Sequence, residues 1–192
     1  AIQTAATQAL GKDKNLWVTT YRCHALALLL GVTSKEAMCE LYGKANGNAQ
    51  GRGGSMHLYA DRMFGGNGIV GGQWPMGAGL AFFLKYRDNK DEVAICFGGD
   101  GSIMMGTFAE SMNLCALWNL PLIVVIENNL YSMGTAQERG VAKLPIGENV
   151  SKAYGIKSYT VDGMDFGKCY ALFREVYAYV KEHQQPVIIE AI

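Results

Sequence analysis

Val93-Ala94-Ile95-Cys96-Phe97-Gly98-Gly99-Asp100-Gly101 is followed, after one intervening segment, by Leu122-Ile123-Val124-Val125-Ile126-Glu127-Asn128-Asn129-Leu130-Tyr131. Both stretches open as apolar runs rich in β-branched residues and stop abruptly at glycine or polar residues, as strands buried on both faces of a parallel sheet do. Between them, residues 106–118 carry Phe108, Met112, Leu114, Cys115 and Leu117. That is enough apolar surface for a crossover helix, and the whole reads as a right-handed βαβ unit. The two polar loops of such a unit open at the same end of the sheet, where α/β folds bind ligands. Asp100 and Asn129 are therefore expected to share one rim. A magnesium ion takes oxygen ligands in a near-octahedral shell that it shares with water and phosphates. The Asp100 carboxylate, the Asn129 side-chain oxygen and a main-chain carbonyl near Tyr131 would supply three of those ligands.

Outward from this unit, the patterning predicts helix 1–10, strand 16–20 and helix 34–42, the last opening on the capping box Thr33-x-x-Glu36. A glycine-rich loop over 43–72 comes next, then helix 76–86, strand 93–97, helix 106–118 and strand 122–126. Strand 158–161, helix 166–183 and strand 187–192 complete the series. Such alternation predicts an α/β fold, a doubly wound parallel sheet with helices on both faces. A glycine loop this long is expected to carry function rather than merely connect. The stripe Tyr170, Phe173, Tyr177 and Val180 has helical spacing and reads as core. His24 lies beside an apolar stretch and reads as a packing residue, while His183 reads as solvated. The chain starts at Ala1 and stops inside the run Val187–Ile192. Residues 1–192 are accordingly expected to be a single domain truncated at both ends.

Apolar residues make up 49% and charged residues 18%, with formal net charge zero, so there is no basic footprint for nucleic acid. No apolar run approaches the ~18 residues of a membrane span, and no charged cleavable leader is visible. The five cysteines are odd in number and form no CxxC pair. They suit a reducing compartment and inert packing.

Gly66-Asn67-Gly68-Ile69-Val70-Gly71 matches the dinucleotide fingerprint GxGxxG. That fingerprint needs a preceding strand, a helix opening from it and an acid about 20 residues later. Asp61–Phe64 makes a poor strand, and Gly71-Gly72 is expected to delay any helix until near Pro75. Nicotinamide binding is not expected. Walker loops, GxSxG elbows and HExxH pairs are absent.

The GDG…NN pair resembles the magnesium and diphosphate motif of thiamine-diphosphate enzymes. Tyr21-Arg22, Gly53-Gly54-Ser55-Met56-His57, Gly65–Gly71, Glu127–Thr135 and Val161–Asp165 together resemble the alpha subunit of the pyruvate dehydrogenase component of the 2-oxoacid dehydrogenase complexes. The similarity runs in order through nearly the whole chain.

The resemblance implies that Asp100, Asn129 and the Tyr131 carbonyl hold magnesium, while Tyr21, Arg22 and the amides of Gly101 and Ser102 hold the diphosphate. It places Ala60, Gly68 and Val70 around the pyrimidine and thiazolium, sets Met133 as a wedge beneath the bent cofactor, and gives His57 a cofactor or substrate contact. Plainer roles stand beside these: Asp100 as a helix cap, Arg22 as a surface residue, Met133 and His57 as loop residues. Physical chemistry favours the first set at several positions. Glycine beside phosphate permits close backbone approach, a helix N-terminus after Gly101 would offer free amides, and the Arg22 fork suits phosphate oxygens. Met104-Met105 departs from the family, which usually carries polar residues there.

The implied activity is oxidative decarboxylation of pyruvate with acetyl transfer to a lipoyl group of the complex's acyltransferase. A beta subunit would complete an α2β2 heterotetramer and supply the glutamate that activates the cofactor. An acetoin or branched-chain 2-oxoacid dehydrogenase alpha subunit is the neighbouring alternative; a non-catalytic cofactor-binding or assembly module is the distant one. The expected compartment is the bacterial cytoplasm, or the mitochondrial matrix or plastid if a transit peptide was removed.

Overall fold

Six strands make one parallel sheet in the computed structural model, which describes residues 1–192. They are β1 (Leu16–Thr20), β2 (Met63–Asn67), β3 (Ala94–Gly99), β4 (Leu122–Glu127), β7 (Lys157–Val161) and β8 (Val187–Ala191), in the order β2-β1-β3-β4-β8-β7. Strands β5 (Tyr131–Ser132) and β6 (Thr135–Ala136) form a separate antiparallel hairpin. The helices are α1 (Ile2–Leu10), α2 (His24–Leu29), α3 (Ser34–Leu41), α4 (Gln73–Tyr86), α5 (Gly106–Leu117), α6 (Gln137–Gly140), α7 (Ile146–Tyr154) and α8 (Phe166–His183).

Alternation along the central strands divides the interior into two layers. Ile95, Phe97, Ile123, Val125, Val187 and Ile189 face α1, α2 and α8. Ala94, Cys96, Leu122, Val124, Ile126 and Ile188 face α4, α5 and α7. Helices therefore cover both faces, as the apolar runs predict. Trp17 stacks on Phe97 with ring centroids 6.4 Å apart in the first layer, and Trp74 meets Phe108 edge-on at 5.1 Å in the second. Gly77 lets α4 lie against β3, since a Cβ there would stand 2.8 Å from that of Cys96.

The topology places the ligand end. From β1 the chain moves to β2 on one side, whereas from β3 it moves to β4 on the other, so the strand order reverses between β1 and β3. In open α/β sheets the crevice outside the strand carboxyl ends at this switch is the binding place. Tyr21-Arg22 leave β1 there and Asp100-Gly101 leave β3. Register carries the rim sideways, because Gly99 pairs with Glu127 and Glu127 with Ala191.

Several local expectations are corrected. The loop over 43–72 contains β2, whose Met-Phe-Gly-Gly-Asn sequence has little strand propensity. Its strand state is imposed by parallel pairing with β1, and its glycines are needed for close packing. A Cβ on Gly65, at φ +99°, would stand 2.5 Å from the Tyr59 ring, and one on Gly66 would stand 2.6 Å from the Cys23 sulfur. Helix α4 opens at Gln73, because Pro75 sits in its first turn, where a missing N–H costs nothing. The fingerprint-like glycines thus do lie between a strand and a helix. The acids about 20 residues on, Asp88 and Asp91, precede β3 and so lie at the opposite end of the sheet from the rim. Helices α2 and α7 were not anticipated. In α2 the helical period turns Leu26 and Ala27 inward and leaves His24 exposed. In α8 the inward stripe is Cys169, Phe173, Val176 and Val180, with Tyr177 half-buried and Tyr170 exposed. In α5, Phe108, Met112 and Cys115 are buried, while Leu114 and Leu117 face outward. The Thr33–Glu36 capping box forms as read.

Candidate functional site

At the switch point lies a cavity of about 720 Å³, within the size range of small-molecule and cofactor sites. Nine of the twelve residues singled out from sequence line it: Tyr21, Arg22, Val70, Asp100, Gly101, Ser102, Asn129, Tyr131 and Met133. Three do not. Ala60 exchanges backbone hydrogen bonds with Met63 and packs against the core layer that α1, α2 and α8 cover. Gly68 lies between the lining residues Asn67 and Val70, and a Cβ on it would stand 3.0 Å from the His57 ring. His57 is therefore one layer behind the wall, with Nδ1 3.2 Å from the Gly53 carbonyl.

The Asp100 loop is held from below. The Trp74 indole N–H donates to the Ser102 carbonyl at 3.2 Å, and the Ser102 hydroxyl donates to the Gly99 carbonyl at 2.6 Å. Residues Asp100–Met104 form a 3₁₀ turn, and α5 starts only at Gly106. The amides after Gly101 thus belong to that turn, which corrects the expectation of a long helix opening there. Met105 packs over Gly71 and is 42% exposed.

Asx turns shape the facing loop. Asn128 Oδ1 accepts from the Leu130 amide and Asn129 Oδ1 from the Tyr131 amide, each at 2.9 Å. Leu130 at φ +69° and Met133 at φ +55° are left-handed non-glycine residues flanking Tyr131-Ser132. Such strain persists where surrounding structure over-determines it, commonly at ligand clamps. Met133 is 89% exposed at the mouth, so a large apolar side chain stands ready for contact.

Electrostatics mark the same place. Asp100 is 2% exposed, and burial pushes its carboxyl above the ordinary range, partly offset by the Gly101 and Asp100 amides, Ser132 and the Arg22 charge. Burial likewise raises Glu127, offset by a hydrogen bond from Gln3 at 2.9 Å and by Arg22. Arg22 takes part in none of the ion pairs. Three buried side-chain polar atoms have no hydrogen-bond partner: Thr19 Oγ1, Gln73 Oε1 and Asp100 Oδ2. Buried polar groups are rarely orphaned. Two of these three residues line the cavity and the third precedes the lining residue Thr20. An unpaired carboxylate oxygen in a cavity that Asn129 and Tyr131 also line suits a hard cation, and a guanidinium outside every ion pair suits an anion. The chain has no cluster of three or more His, Cys, Asp or Glu able to hold a metal. A cation here would complete its shell with neutral and ligand oxygens, as magnesium does beside phosphates.

Lining residues given no role from sequence include Gln73, Asn67, Asn128, Ser132, Gly163 and Met164. Asn128 and Ser132 lie beside assigned residues, and Gly163-Met164 fall in a quoted motif. Gln73 gave no signal of its own, since only its helix turns it toward Ser102.

Comparison with known proteins bears on the family and the fold. The chain is 39% identical over 188 residues to the pyruvate dehydrogenase E1 component subunit alpha of Rickettsia typhi, covering 97% of this chain and 57% of that protein. It is 41% identical over 192 residues to the subunit of the same name from Zymomonas mobilis, covering 99% and 54%. The chain thus spans a little over half the length of these relatives. A solved structure from Mycobacterium smegmatis, described as a thiamin diphosphate-dependent enzyme, superposes with TM-score 0.64 at 16% identity, covering 98% of this chain and 30% of that one. At that identity the likeness is one of fold. The pattern of the dehydrogenase E1 component family matches residues 1–192 from end to end, and the chain belongs to that family.

Proposed function

We propose that this chain is the cofactor-anchoring part of the alpha subunit of a pyruvate dehydrogenase, dependent on thiamine diphosphate and magnesium. The observation that carries the proposal is the orphaned, buried Asp100 Oδ2 in a cavity shared with Asn129 and the unpaired Arg22. The names of the relatives support pyruvate as substrate.

In this assignment Asp100, the Asn129 side-chain oxygen and the Tyr131 carbonyl hold magnesium, and Tyr21, Arg22 and the Gly101 and Ser102 amides hold the diphosphate. When bound, thiamine diphosphate supplies a thiazolium carbon that adds to the ketone of a 2-oxo acid and accepts the electron pair left by carbon dioxide. The protein contributes position and electrostatics. Val70 and Met133 would contact the apolar half of the cofactor at the pocket mouth. Gly68, backed by His57, sets the approach of the Asn67–Val70 wall. Ala60 supports that wall from the core. By the resemblance to the family, the cofactor-activating carboxylate is assigned to a beta subunit in an α2β2 assembly. The acetyl acceptor is the lipoyl group of the complex's acyltransferase, and the compartment the bacterial cytoplasm.

Calorimetry with thiamine diphosphate and magnesium tests the assignment on the full-length subunit. Binding is expected to be lost in Asp100→Ala and in Asn129→Ala, and undiminished binding in both variants overturns it. Turnover of pyruvate, acetoin and branched 2-oxo acids by the α–β assembly then selects the substrate.

A further inference from the structure

Glu190, the fourth residue of β8, is 1% exposed and lies in the apolar layer that also contains Ile188. A carboxylate in such surroundings is costly unless its oxygens are satisfied. No cation pairs with it. Two neutral donors do the work instead. Oε1 accepts from Asn128 Nδ2 at 2.7 Å, and Oε2 accepts from the Gly147 amide at the start of α7 at 2.8 Å. Gly147 eases this approach, since a Cβ would stand 3.2 Å from both Cβ and Oε2 of Glu190, tighter than ordinary contact.

Asn128 is thereby fixed on every side. Its amide group also donates to Gln137 Oε1 at 3.0 Å, its Oδ1 accepts from Leu130, and its backbone N–H donates to the Ala191 carbonyl at 2.8 Å. The next residue is Asn129, whose own turn onto Tyr131 shapes the facing rim. Leu130, between them, is held at φ +69°, a conformation its side chain disfavours. Released from Glu190, the Asn128 amide could turn, and the Leu130 and Tyr131 backbone would lose the template that keeps them strained.

We propose that Glu190 is the positioning residue of the cation site, fixing through Asn128 the placement of the Asn129 side-chain oxygen and the Tyr131 carbonyl. The inference rests on the magnesium and diphosphate assignment above. Groups hydrogen-bonded to a metal's ligands typically change its affinity about 10–100-fold when altered; Glu190 acts one step further out, through Asn128, so the lower end of that range applies.

Both Glu190 oxygens receive N–H groups, so Glu190→Gln, in either orientation of its amide, sets a donor against a donor. In the full-length subunit with its partner chain, thiamine diphosphate binding is titrated with magnesium. E190Q is expected to need about tenfold more magnesium, with cofactor affinity restored near the wild-type value at saturating magnesium. The swapped pair Glu190→Gln/Asn128→Asp restores the sense of that hydrogen bond and is expected to recover magnesium dependence. A general folding role would weaken cofactor binding at every magnesium concentration, and that pattern overturns the inference. Wild-type magnesium dependence in E190Q overturns it as well. If E190Q does not fold, the swapped pair decides: wild-type magnesium dependence supports the inference, and dependence weakened tenfold or more overturns it. A wild-type assembly that binds no thiamine diphosphate at any magnesium concentration overturns the underlying assignment instead, and the inference with it.

Discussion

Gly101 packs directly against Ser132: a Cβ on Gly101 would overlap the Ser132 hydroxyl and stand 2.7 Å from the Ser132 Cβ. This contact joins the loop after β3 to the hairpin that follows β4, so the two sides of the proposed cation site are mechanically one.

Gly101→Ala is therefore expected to spread the two loops. Overpacking of this kind costs about 1–3 kcal/mol, and that strain falls on the proposed cofactor site. The double variant Gly101→Ala/Ser132→Gly removes both offending atoms and is expected to recover most of the loss. Calorimetric affinities for thiamine diphosphate across the four-member cycle measure the coupling. Strictly additive losses would mean that the two residues do not meet.

Asp100 sets a stability ledger that depends on pH. Burial raises its carboxyl in the folded chain, so the folded state holds that proton more tightly than the unfolded one. Stability then falls as pH rises from the ordinary aspartate value through the raised one. Asp100→Asn removes the penalty and is expected to raise the melting temperature of the cofactor-free protein at neutral pH, by about 2–4 °C for each kcal/mol relieved in a chain of this size. The gain shrinks as the pH is lowered. Adding magnesium and thiamine diphosphate reverses the order, because ligand binding stabilises the wild type alone. Melting curves from about pH 4, near the ordinary aspartate value, to about pH 8, with and without ligands, test both signs.

Asp100 and Asn129 were legible because each stands where a β-branched run breaks off, and strand runs that end in polar residues carry their own address. β2 was not, because Met63–Asn67 becomes a strand only through pairing with β1 and close contact with Tyr59 and Cys23. No local propensity records that. Glu190 was hidden for a similar reason: in Val187–Ala191 it reads as the polar end of an apolar strand, and its partners Asn128 and Gly147 come from 62 and 43 residues away. The start of α4 misled in the opposite direction: Gly71-Gly72 reads as delaying the helix until near Pro75, yet it opens at Gln73, with Pro75 accommodated in its first turn.

Thiol reactivity follows directly from burial. Cys23, Cys96, Cys115 and Cys169 are fully buried and Cys39 is half-buried. Burial pushes the Cys115 thiol up to about 12 and Cys96 well above its ordinary value, so neither offers thiolate at neutral pH. Ellman's reagent is expected to titrate one thiol in the native chain and all five in denaturant. Rapid native reaction of a second thiol would show that one of the two core layers opens.

Glu40 organises the glycine loop that carries His57. Its side chain is 1% exposed, and it accepts from the amides of Ala49, Gly51, Gly53 and Gly54 at 2.7, 2.9, 2.6 and 3.2 Å. Burial alone would raise this carboxyl, but the amides of Gly51, Ala49, Gly53 and Gly54 together draw it below the ordinary value of 4.5. Its contribution is therefore present above pH 4.5 and is lost as pH falls through the lower folded value. In the wild type the four amide proton resonances are expected to move together, with one midpoint below 4.5. In Glu40→Gln that titration disappears. Glu40→Ala leaves the four donors without an acceptor and frees the loop, so trypsin is expected to cut after Arg52 about tenfold faster, as local opening controls such cleavage. The same variant should shift the His57 ring resonances, because Gly53, which accepts from His57 and donates to Glu40, links the two side chains. A midpoint above 4.5, or an unaltered cutting rate, would place the organisation of this loop elsewhere than at Glu40.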